Sequence, residues 1–439
     1  MGFEWISNLF FLRGHASKPG DSAISEKVSV QHIAAMVDRI EKKIDYAISS
    51  IDFVRQHMAN YLGNGIAVTY LRDETPIYVN SNDFGPSSNY INGGLYESEN
   101  LDVLLSFVRD DSVFLDIGAN VGFFALQVAR RVHRHGKVHA FEPHPDLVRL
   151  IRGSAFLNGF STMDGLKGAL IAHPYGVGDK AGAVELFYPQ DHLGGGGQSG
   201  GADPLRARII SEFRTIDECL GQDFVCDLVK IDVEGHELEV LKGMRSTIER
   251  SKEIKLIFEK FGHDAGPEAE IEALLRGLGL DLFGIETDAH IRRLAPGELR
   301  SFSGYALATR PVEGLDATNR MHFSIFPRQL FVPPSHQSGC DRDALRATGR
   351  NAEILFHGPY WFLGRGAYRL SFSGDIAGEL EITIAARFGF PVNTFVFDAN
   401  IKIGAFIAEL DLVKFEIIGR TNGAETSIIL RELHIERIA

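Results

Sequence analysis

The chain has 439 residues, and at roughly 150 residues per domain this length suggests about three domains or fewer. Hydrophobic residues make up 44% and charged residues 23%, which is typical of a globular protein and excludes a disordered or collagen-like chain. A net charge of −13 is unfavourable for a protein that grips the phosphates of nucleic acids. Three cysteines without CxxC spacing indicate a reducing compartment, and we expect a cytoplasmic protein that has no nucleic-acid partner.

The N-terminal 63 residues contain two segments. Residues 1–20 begin with an apolar run, MGFEWISNLFFLR, that lacks a basic n-region and is shorter than the ~20 residues of a membrane span, so we expect at most a peripheral membrane contact. Residues 21–63 predict one long helix, in which apolar residues recur from Ile33 to Tyr61 at spacings of four and three. This repeat predicts self-association through a coiled coil. The alternative is an amphipathic helix that lies on its own domain.

Residues 64–312 have the pattern of an α/β domain. Two β-rich runs, 66–71 and 77–80, predict a hairpin. From Val113 onward, short apolar runs alternate with helical segments, and this alternation predicts a parallel, doubly wound sheet of the Rossmann-like type. The predicted strands are VFLDI, KVHAF, LIAHPYGV, DLVKID and IKLIFE, and the predicted helices are residues 121–132, 145–158, 236–248 and 265–278.

Residues 313–439 lose the helical periodicity. Short runs with apolar groups at every second position, separated by turns that contain Gly or Asn, predict an antiparallel β-sandwich. Within it, FHGPYWFLGRGAY (356–368) resembles a segment of jelly-roll modules that are appended to bacterial glycan-modifying enzymes. The aromatic rings of Tyr360, Trp361 and Tyr368 are either core residues or a surface that contacts a glycan.

The sequence VFLDIGANVG (113–122) is an apolar strand that runs into a glycine turn and then a helix. Gly118 and Gly122 remove side chains where a ligand must approach, and Asp116 at the strand end can hold an amine. Twenty residues after Gly122, Glu142 ends the next strand, where a carboxylate can accept hydrogen bonds from both hydroxyls of a ribose. The pattern predicts a cofactor that contains adenosine. A turn that merely joins strand to helix is the structural alternative.

The turn departs from the dinucleotide pattern G-x-G-x-x-G, because Asn120 stands at the second glycine. An amide at this position suits a zwitterionic amino acid better than a pyrophosphate. We therefore favour S-adenosylmethionine over NAD as the cofactor.

Several motifs between Gly94 and Lys260 together resemble the FkbM-type S-adenosylmethionine-dependent methyltransferases. The resemblance implies a class I methyltransferase fold and methylation of hydroxyl groups, commonly on sugars of glycans or on natural products. The matching segments are VFLDIGANVGFFAL (113–126), VHAFEPHP (138–145), Leu157-Asn158-Gly159, YGVGDKAGAVEL (175–186), TIDECL (215–220) and KIDVEGHELEVLKG (230–243).

The resemblance also implies which residues contact the cofactor. The first turn would line the methionine and ribose, the end of the second strand would hold the ribose hydroxyls, the loop at 176–179 would border the adenine, and Asp232 would face the sulfonium methyl. An N-cap role is the alternative for Asp232. The implied cofactor residues are Glu97, Asp116, Gly118, Ala119, Asn120, Gly122, Glu142, Pro143, Asn158, Gly176, Val177, Gly178, Asp179 and Asp232.

Methyl transfer to a hydroxyl requires an in-line approach and removal of a proton. Asp232, His236 and Glu259 are the candidate catalytic residues, although His236 is also typical of a helix surface. Glu234, Glu237 and His263 lie nearby in sequence and, with the three candidates, form an alternative magnesium site, but no spacing demands a metal and we predict none. The glycine-rich residues 192–201 are either a mobile cover for the acceptor or a flexible connection.

These observations lead to one hypothesis, an O-methyltransferase that acts on a sugar hydroxyl of a bacterial polysaccharide or glycolipid. Three alternatives stay open from the sequence. They are methylation of a small natural product, an NAD-dependent oxidoreductase of nucleotide sugars, and a non-catalytic scaffold that binds glycans.

Overall fold

The computed structural model describes residues 58–132, 136–160, 170–189, 192–198, 205–260, 267–286, 289–312, 315, 322–335, 339–341, 343–386, 389–409, 411–423 and 425–438. All of them fall within the unit Phe53–Ala439. The apolar segment 1–20 and most of the predicted coiled coil lie outside the described residues, so membrane contact and self-association stay predictions. At the end of the predicted helix, Asn60–Gly63 is a strand. The helix prediction is wrong there because this segment pairs with Ile66–Tyr70 across the Gly63-Asn64-Gly65 turn.

Strands and helices alternate through the first described part of the chain, as the sequence pattern predicts. The strands are β1 Asn60–Gly63, β2 Ile66–Tyr70, β3 Pro76–Asn80, β4 Val113–Ile117, β5 Lys137–Phe141, β6 Leu170–His173, β7 Gly176–Val177, β8 Gly182–Pro189, β9 Arg206–Arg214, β10 Leu228–Ile231, β11 Lys255–Lys260, β12 Asp281–Glu286, β13 His290–Arg293 and β14 Gly304–Thr309. The helices are α1 Pro86–Gly93, α2 Ser98–Ser106, α3 Phe123–Val132, α4 Pro145–Leu157, α5 Ile216–Cys219, α6 Glu237–Gly243, α7 Arg245–Arg250 and α8 Glu268–Gly277.

The central sheet has the strand order β13-β12-β14-β11-β10-β4-β5-β6 within the described residues. The strands β4, β5, β6, β10 and β11 are parallel, which confirms the five predicted strands. The predicted parallel sheet is extended at one edge by three strands that were not predicted, β12, β13 and β14, which pair antiparallel. The predicted hairpin is confirmed as β2 and β3, which pair antiparallel.

Helices cover both faces of this sheet. Along β4, Phe114 belongs to a core cluster with α3 and α4, whereas Leu115 belongs to a second cluster with α6, α7 and α8. Successive residues of a strand point to opposite faces, so a strand buried on both sides consists of consecutive apolar residues. The run VFLDI is therefore explained by burial on both faces of the sheet.

The order of the strands places a crevice at one edge of the sheet. From β4 the chain proceeds outward through β5 to β6, whereas β10 and β11 lie on the other side of β4. The chain direction therefore reverses between β4 and β10. In open sheets of this kind, ligands bind at the carboxyl ends of the strands next to such a reversal.

The C-terminal part forms two antiparallel sheets that share one hydrophobic core. This agrees with the predicted sandwich, while the jelly-roll resemblance stays a prediction. Trp361 and Tyr368 are buried, with exposed fractions of 5% and 1%, so they are core residues and not a glycan surface. The strands are β15 His322–Ile325, β16 Leu345–Gly349, β17 Ile354–Phe356, β18 Pro359–Leu363, β19 Gly366–Ala377, β20 Leu380–Ala386, β21 Phe390–Phe397, β22 Ile403–Ala408, β23 Leu412–Thr421 and β24 Thr426–Arg437.

Arg131, at the end of α3, joins the α/β part to the sandwich. Its guanidinium lies 3.4 Å from the ring centroid of Trp361 and 5.1 Å from that of Phe323, and its carbonyl accepts a hydrogen bond of 2.8 Å from Gln329 Nε2. Arg72 and Asp411 form an ion pair of 2.9 Å across the same boundary. In the part of the chain that the structure describes, no helix is long and apolar enough to cross a membrane.

We expect Trp361→Ala to destabilise the protein by about 3 kcal/mol, since it removes a buried ring and uncovers the Arg131 guanidinium. Chemical denaturation with a fluorescence or circular dichroism readout measures this change. Ile403→Ala is the control, because Ile403 is 61% exposed and its truncation should cost less than about 0.5 kcal/mol. Equal free energies of unfolding for the two variants would show that the contact between Arg131 and Trp361 does not stabilise the protein.

Candidate active site

The turn after β4 needs glycine at its first position. Gly118 has φ 80°, in the left-handed region, and a Cβ atom on it would lie 1.8 Å from the carbonyl oxygen of Asp232. Asn120 and Gly122 follow with φ 52° and 87°. Such a succession of left-handed residues bends the backbone sharply before α3. The sequence DIGANVG therefore folds into a turn that touches the end of β10.

Glu142, at the end of β5, fixes this turn from the other side. Its Oε2 accepts a hydrogen bond of 2.9 Å from the backbone N–H of Asn120, and its Oε1 accepts one of 2.8 Å from that of His144. Only 5% of Glu142 is exposed, and this burial raises the pKa of its carboxyl to about 7. The predicted ribose carboxylate thus also organises the first turn.

A cleft of about 650 Å³ opens over the carboxyl ends of β4, β5 and β10. Its lining includes both predicted loops and two of the three candidate catalytic residues. The predicted site residues that line it are Gly118, Ala119, Asn120, Glu142, Pro143, Gly176, Val177, Gly178, Asp179, Asp232 and His236.

Five predicted site residues are not part of this lining. Asp116 is fully buried, and its Oδ2 accepts a hydrogen bond of 3.0 Å from Ala125 N–H. Gly122 lies against Ile151, and the Asn158 side chain donates to the carbonyl oxygens of Pro76 and Ser154. Asn158 therefore ties α4 to β3. Glu97 and Glu259 lie behind Asp232 and are described next.

Asp232 is the centre of a hydrogen-bond cluster in which Lys230 and Tyr305 are buried. Its Oδ2 lies 3.0 Å from Lys230 Nζ and accepts a hydrogen bond of 2.9 Å from Tyr305 OH. Although burial opposes the charge, the Lys230 ammonium holds the pKa of Asp232 below its usual range. The carboxylate is therefore ionised at neutral pH, but donors already occupy it. A carboxylate held in this way is a weak base.

Glu259 belongs to the same cluster through its hydrogen bond to Asp232. Burial, together with the neighbouring Asp232, raises the pKa of Glu259 to about 9. Glu259 is therefore protonated at neutral pH and donates to Asp232, so it is a hydrogen-bond donor and not a base at that pH. Burial also raises the pKa of Glu97, which Tyr305 contacts.

His236 lies at the other end of the cleft, next to the loop predicted to border an adenine. A Cβ on Gly178 would be 3.1 Å from His236 Nε2, and the ring packs edge-on against Phe213. His236 Nδ1 lies 3.2 Å from Gln198 Nε2 and 3.5 Å from Glu239 Oε2. Burial lowers the pKa of this imidazole, so the ring is neutral at pH 7.

Several residues of the cleft and of the Asp232 cluster were not predicted from the sequence. Lys230 had a signal, because residues two apart on a strand point to the same side and Lys230 therefore accompanies Asp232. Tyr305 had none, since it reaches the cluster from β14, a strand whose antiparallel pairing with β11 is not evident in the sequence. His192 was considered only as part of the glycine-rich segment. The other unpredicted lining residues include Tyr90, Tyr96, Tyr188 and Lys180.

Unsatisfied polar atoms show where this cleft can take a ligand. Within the described residues, Asp116 Oδ1 and Asn120 Oδ1 are buried and have no hydrogen-bond partner. Asn120, which lines the cleft, places its acceptor at the turn predicted to hold the methionine part of the cofactor, and an ammonium group supplies the donor that it lacks. The residues present therefore fit S-adenosylmethionine. No group of three or more His, Cys, Asp or Glu side chains in the described ranges is arranged to hold a metal, and His263 lies outside those ranges.

Gly118→Ala should cost at least about 2 kcal/mol more stability than Gly221→Ala, as measured by chemical denaturation. Both glycines have φ in the left-handed region, 80° and 89°, so both variants suffer the same backbone strain. A methyl group at Gly221 meets no atom within 4 Å, whereas one at Gly118 collides with the Asp232 carbonyl. Equal stability of the two variants would contradict the close approach of the turn to β10.

The raised pKa of Glu142 predicts how stability depends on pH. From pH 4.5, its usual pKa, to about 7, the folded state keeps a proton that the unfolded state loses, so stability falls as pH rises. This one group contributes at most about 3 kcal/mol to that fall. Chemical denaturation at pH 5, 6, 7 and 8 should show a smaller decline for Glu142→Gln than for the wild type. Glu249→Gln, on the surface of α7, is the control and should keep the wild-type slope.

Comparison with known proteins identifies the domain. A sequence model of the family described as "Methyltransferase FkbM domain" matches residues 116–292. The chain is 30% identical over 155 residues to the hexuronic acid methyltransferase AglP of Haloferax volcanii, a match that covers 35% of this chain and 58% of that protein. It is 27% identical over 202 residues to the methyltransferase sdnD of Sordaria araneosa, covering 38% of this chain and 73% of that protein. The chain thus spans little more than half the length of AglP.

Solved structures give weaker likenesses. An S-adenosylmethionine-dependent O-methyltransferase from Thermotoga maritima has 13% identity and a TM-score of 0.29, covering 50% of this chain and 67% of that one. A precorrin-6y C5,15-methyltransferase from Geobacter metallireducens has 13% identity and a TM-score of 0.28, covering 49% and 88%. Scores this low carry no weight, so the family assignment depends on the sequence match. Residues 116–292 of this chain match the methyltransferase FkbM domain, and the two relatives that share sequence with this chain are named methyltransferases.

Proposed function

We propose that the protein transfers the methyl group of S-adenosylmethionine to a hydroxyl of a sugar in a bacterial polysaccharide or glycolipid. The observation that carries this proposal is a single cleft that contains the glycine turn, the Glu142 carboxylate and Asp232. These groups come from β4, β5 and β10, three strands whose carboxyl ends adjoin. They are the positions where an amino acid, a ribose and a reacting centre must lie side by side.

The chain's own residues have distinct roles in this proposal. When bound, the cofactor supplies an electrophilic methyl group on a sulfonium. Asn120 Oδ1 accepts from the ammonium group, and Glu142 accepts from the ribose hydroxyls. Gly176, Val177 and Gly178 border the adenine of the cofactor, and His236 lies beside them. The Asp232 cluster, rigid because each member is hydrogen-bonded, forms the wall on which the acceptor is positioned.

The charge of the cleft supports a neutral acceptor. Among the described residues, its lining has five carboxylates, Glu142, Asp179, Asp232, Glu234 and Glu239, but only two lysines. One of these, Lys230, is already paired with Asp232. Burial and the neighbouring Asp232 raise the pKa of Glu234 to about 7, which reflects this excess of negative charge. An anionic acceptor would be repelled, whereas an uncharged hydroxyl would not.

The relative AglP supports a sugar as the acceptor, since it is named a hexuronic acid methyltransferase. For this chain the acidic lining favours a hydroxyl of a neutral sugar over the carboxylate of a uronic acid. The sandwich adds little to this inference, because Trp361 and Tyr368 are buried and Tyr360 is half-buried, with its OH 2.7 Å from His357 Nδ1. All three cysteines are unpaired, which supports a reducing compartment such as the cytoplasm.

The other functions considered from the sequence have less support. An NAD-dependent oxidoreductase is not favoured, since residues 116–292 match a methyltransferase domain. A non-catalytic scaffold does not account for a cleft in which unpartnered acceptors and an ordered Asp232 cluster adjoin. Methylation of a small natural product is an outcome that the following experiment can detect.

The experiment incubates the protein with S-adenosylmethionine labelled in its methyl group and three sets of acceptors. These are neutral nitrophenyl hexosides and oligosaccharides, the matching uronides, and phenolic or polyketide hydroxyl compounds. We expect label to enter the neutral sugars, with at least tenfold lower kcat/KM for the uronides. Labelling of the third set alone would refute the sugar assignment.

The variant Asp232→Asn tests whether Asp232 acts in turnover or in cofactor binding. Its kcat is measured in the same methyl-transfer assay. We expect kcat to fall by about 100-fold or more, because an amide cannot keep the hydrogen bonds of Lys230, Tyr305 and Glu259 together. Calorimetry with S-adenosylhomocysteine should give an affinity within a few-fold of the wild type. Glu249→Gln is the matched control and should leave both quantities unchanged. No binding of S-adenosylhomocysteine to the wild type would refute the function itself.

A further inference from the structure

His192 lies on the wall of the cleft and contacts a buried carboxylate. Its Nδ1 is 3.4 Å from Asp83 Oδ1, and Asp83 is only 4% exposed. Three donors hold this carboxylate, namely Gly85 N–H at 3.0 Å, Ser87 N–H at 3.3 Å and Ser87 Oγ at 2.8 Å. These hydrogen bonds fix the orientation of the Asp83 carboxylate that contacts the imidazole.

Glycines on both sides make room for the His192 ring. A Cβ on Gly85 would lie 2.0 Å from its Nδ1, and one on Gly195 would lie 2.7 Å from its Cδ2. Gly194 lies between His192 and Gly195 in the sequence, and a Cβ on it would come within 2.8 Å of Asn120 Nδ2. The ring therefore sits against the segment that contacts the first turn, the end of the cleft predicted to hold the methionine. His236 lies at the opposite end, beside Gly178.

This arrangement sets the chemistry of the ring. A neutral imidazole that donates Nδ1–H to a carboxylate keeps a lone pair on Nε2, the form needed to accept a proton. The other groups of the cleft are less suited to this task. Hydrogen-bond donors already contact the Asp232 carboxylate, and Glu259 is protonated at neutral pH. His236 lies beside Gly178, in the loop predicted to border the adenine.

We propose that His192 is the general base of the methyl transfer and that Asp83 is its positioning residue, an inference that rests on the proposed function. As the acceptor oxygen bonds to the methyl carbon, the carbon–sulfur bond breaks and its electron pair stays on sulfur. The hydroxyl proton passes to His192 Nε2 and from there to solvent. The reaction is balanced without a further reactant.

A different role for the same contact is to anchor residues 192–198 by a hydrogen bond to Asp83. His192→Asn distinguishes the two, since the Asn amide can still donate to Asp83 but cannot accept the proton. His192→Ala removes both properties. His290→Asn, on β13, is the matched control and should behave as the wild type.

The assay is the methyl transfer to the neutral sugar that takes up most label in the experiment proposed above, measured from pH 5 to pH 9. Within the described residues, Asp83 is the charged group paired with the His192 ring. For His192→Asn we expect kcat to fall by about 100-fold or more and the acid limb of kcat/KM to disappear. Affinity for S-adenosylhomocysteine, measured by calorimetry, should stay within threefold. Asp83→Asn should lower kcat at least tenfold and move the midpoint of the acid limb.

Several outcomes would overturn the proposal. One is a His192→Asn variant with kcat within threefold of the wild type, whatever the effect of His192→Ala, because only the anchor would then matter. Another is loss of the acid limb in His236→Asn, which would make His236 the base. If the wild type binds S-adenosylhomocysteine but methylates no acceptor, the proposed function fails together with the base. If the wild type is active and only the variants disagree, this inference alone fails.

Discussion

The structure depends on the close approach of two backbones, where the turn after β4 touches the carbonyl of Asp232 at the end of β10. Any side chain at Gly118 would separate these strand ends. Their contact brings the glycine turn and the Asp232 cluster into the same cleft, and Glu142 holds the turn from the side of β5. The site is therefore a consequence of sheet packing, in which neighbouring parallel strands present their ends at one edge.

The sequence predicted those parts of the site that lie on local patterns. The DIGANVG turn and Glu142 each lie at the end of a predicted parallel strand, and parallel strands end on the same side of a sheet, so their convergence followed from the strand assignments. The loop at 176–179 was implied by the family resemblance. Tyr305 could not be predicted in this way, because it reaches Asp232 from an antiparallel strand that arrives late in the chain. The antiparallel edge of the sheet was not predicted, because a strand buried on both faces is a continuous apolar run in either direction.

Side-chain roles were harder to predict than positions. Glu259 was a candidate base on sequence grounds, but its neighbour Asp232 and its burial leave it protonated at neutral pH. Asn158 was implied by the resemblance, and the structure places it between α4 and β3. At the N-terminal side, a heptad pattern continued to Tyr61 although Asn60–Gly63 pairs as a strand. A seam of apolar residues does not show where a helix ends when a glycine turn allows the chain to fold back.

The acidic lining of the cleft has a consequence for turnover. The cofactor enters with a net positive charge and becomes uncharged once the methyl group has left, so the carboxylates attract the reactant form more than the spent form. In the proposed reaction, release of the spent cofactor is thereby favoured at every cycle, and inhibition by accumulated S-adenosylhomocysteine is weakened. The acidic lining would therefore keep the protein active when the ratio of S-adenosylmethionine to S-adenosylhomocysteine in the cell is low.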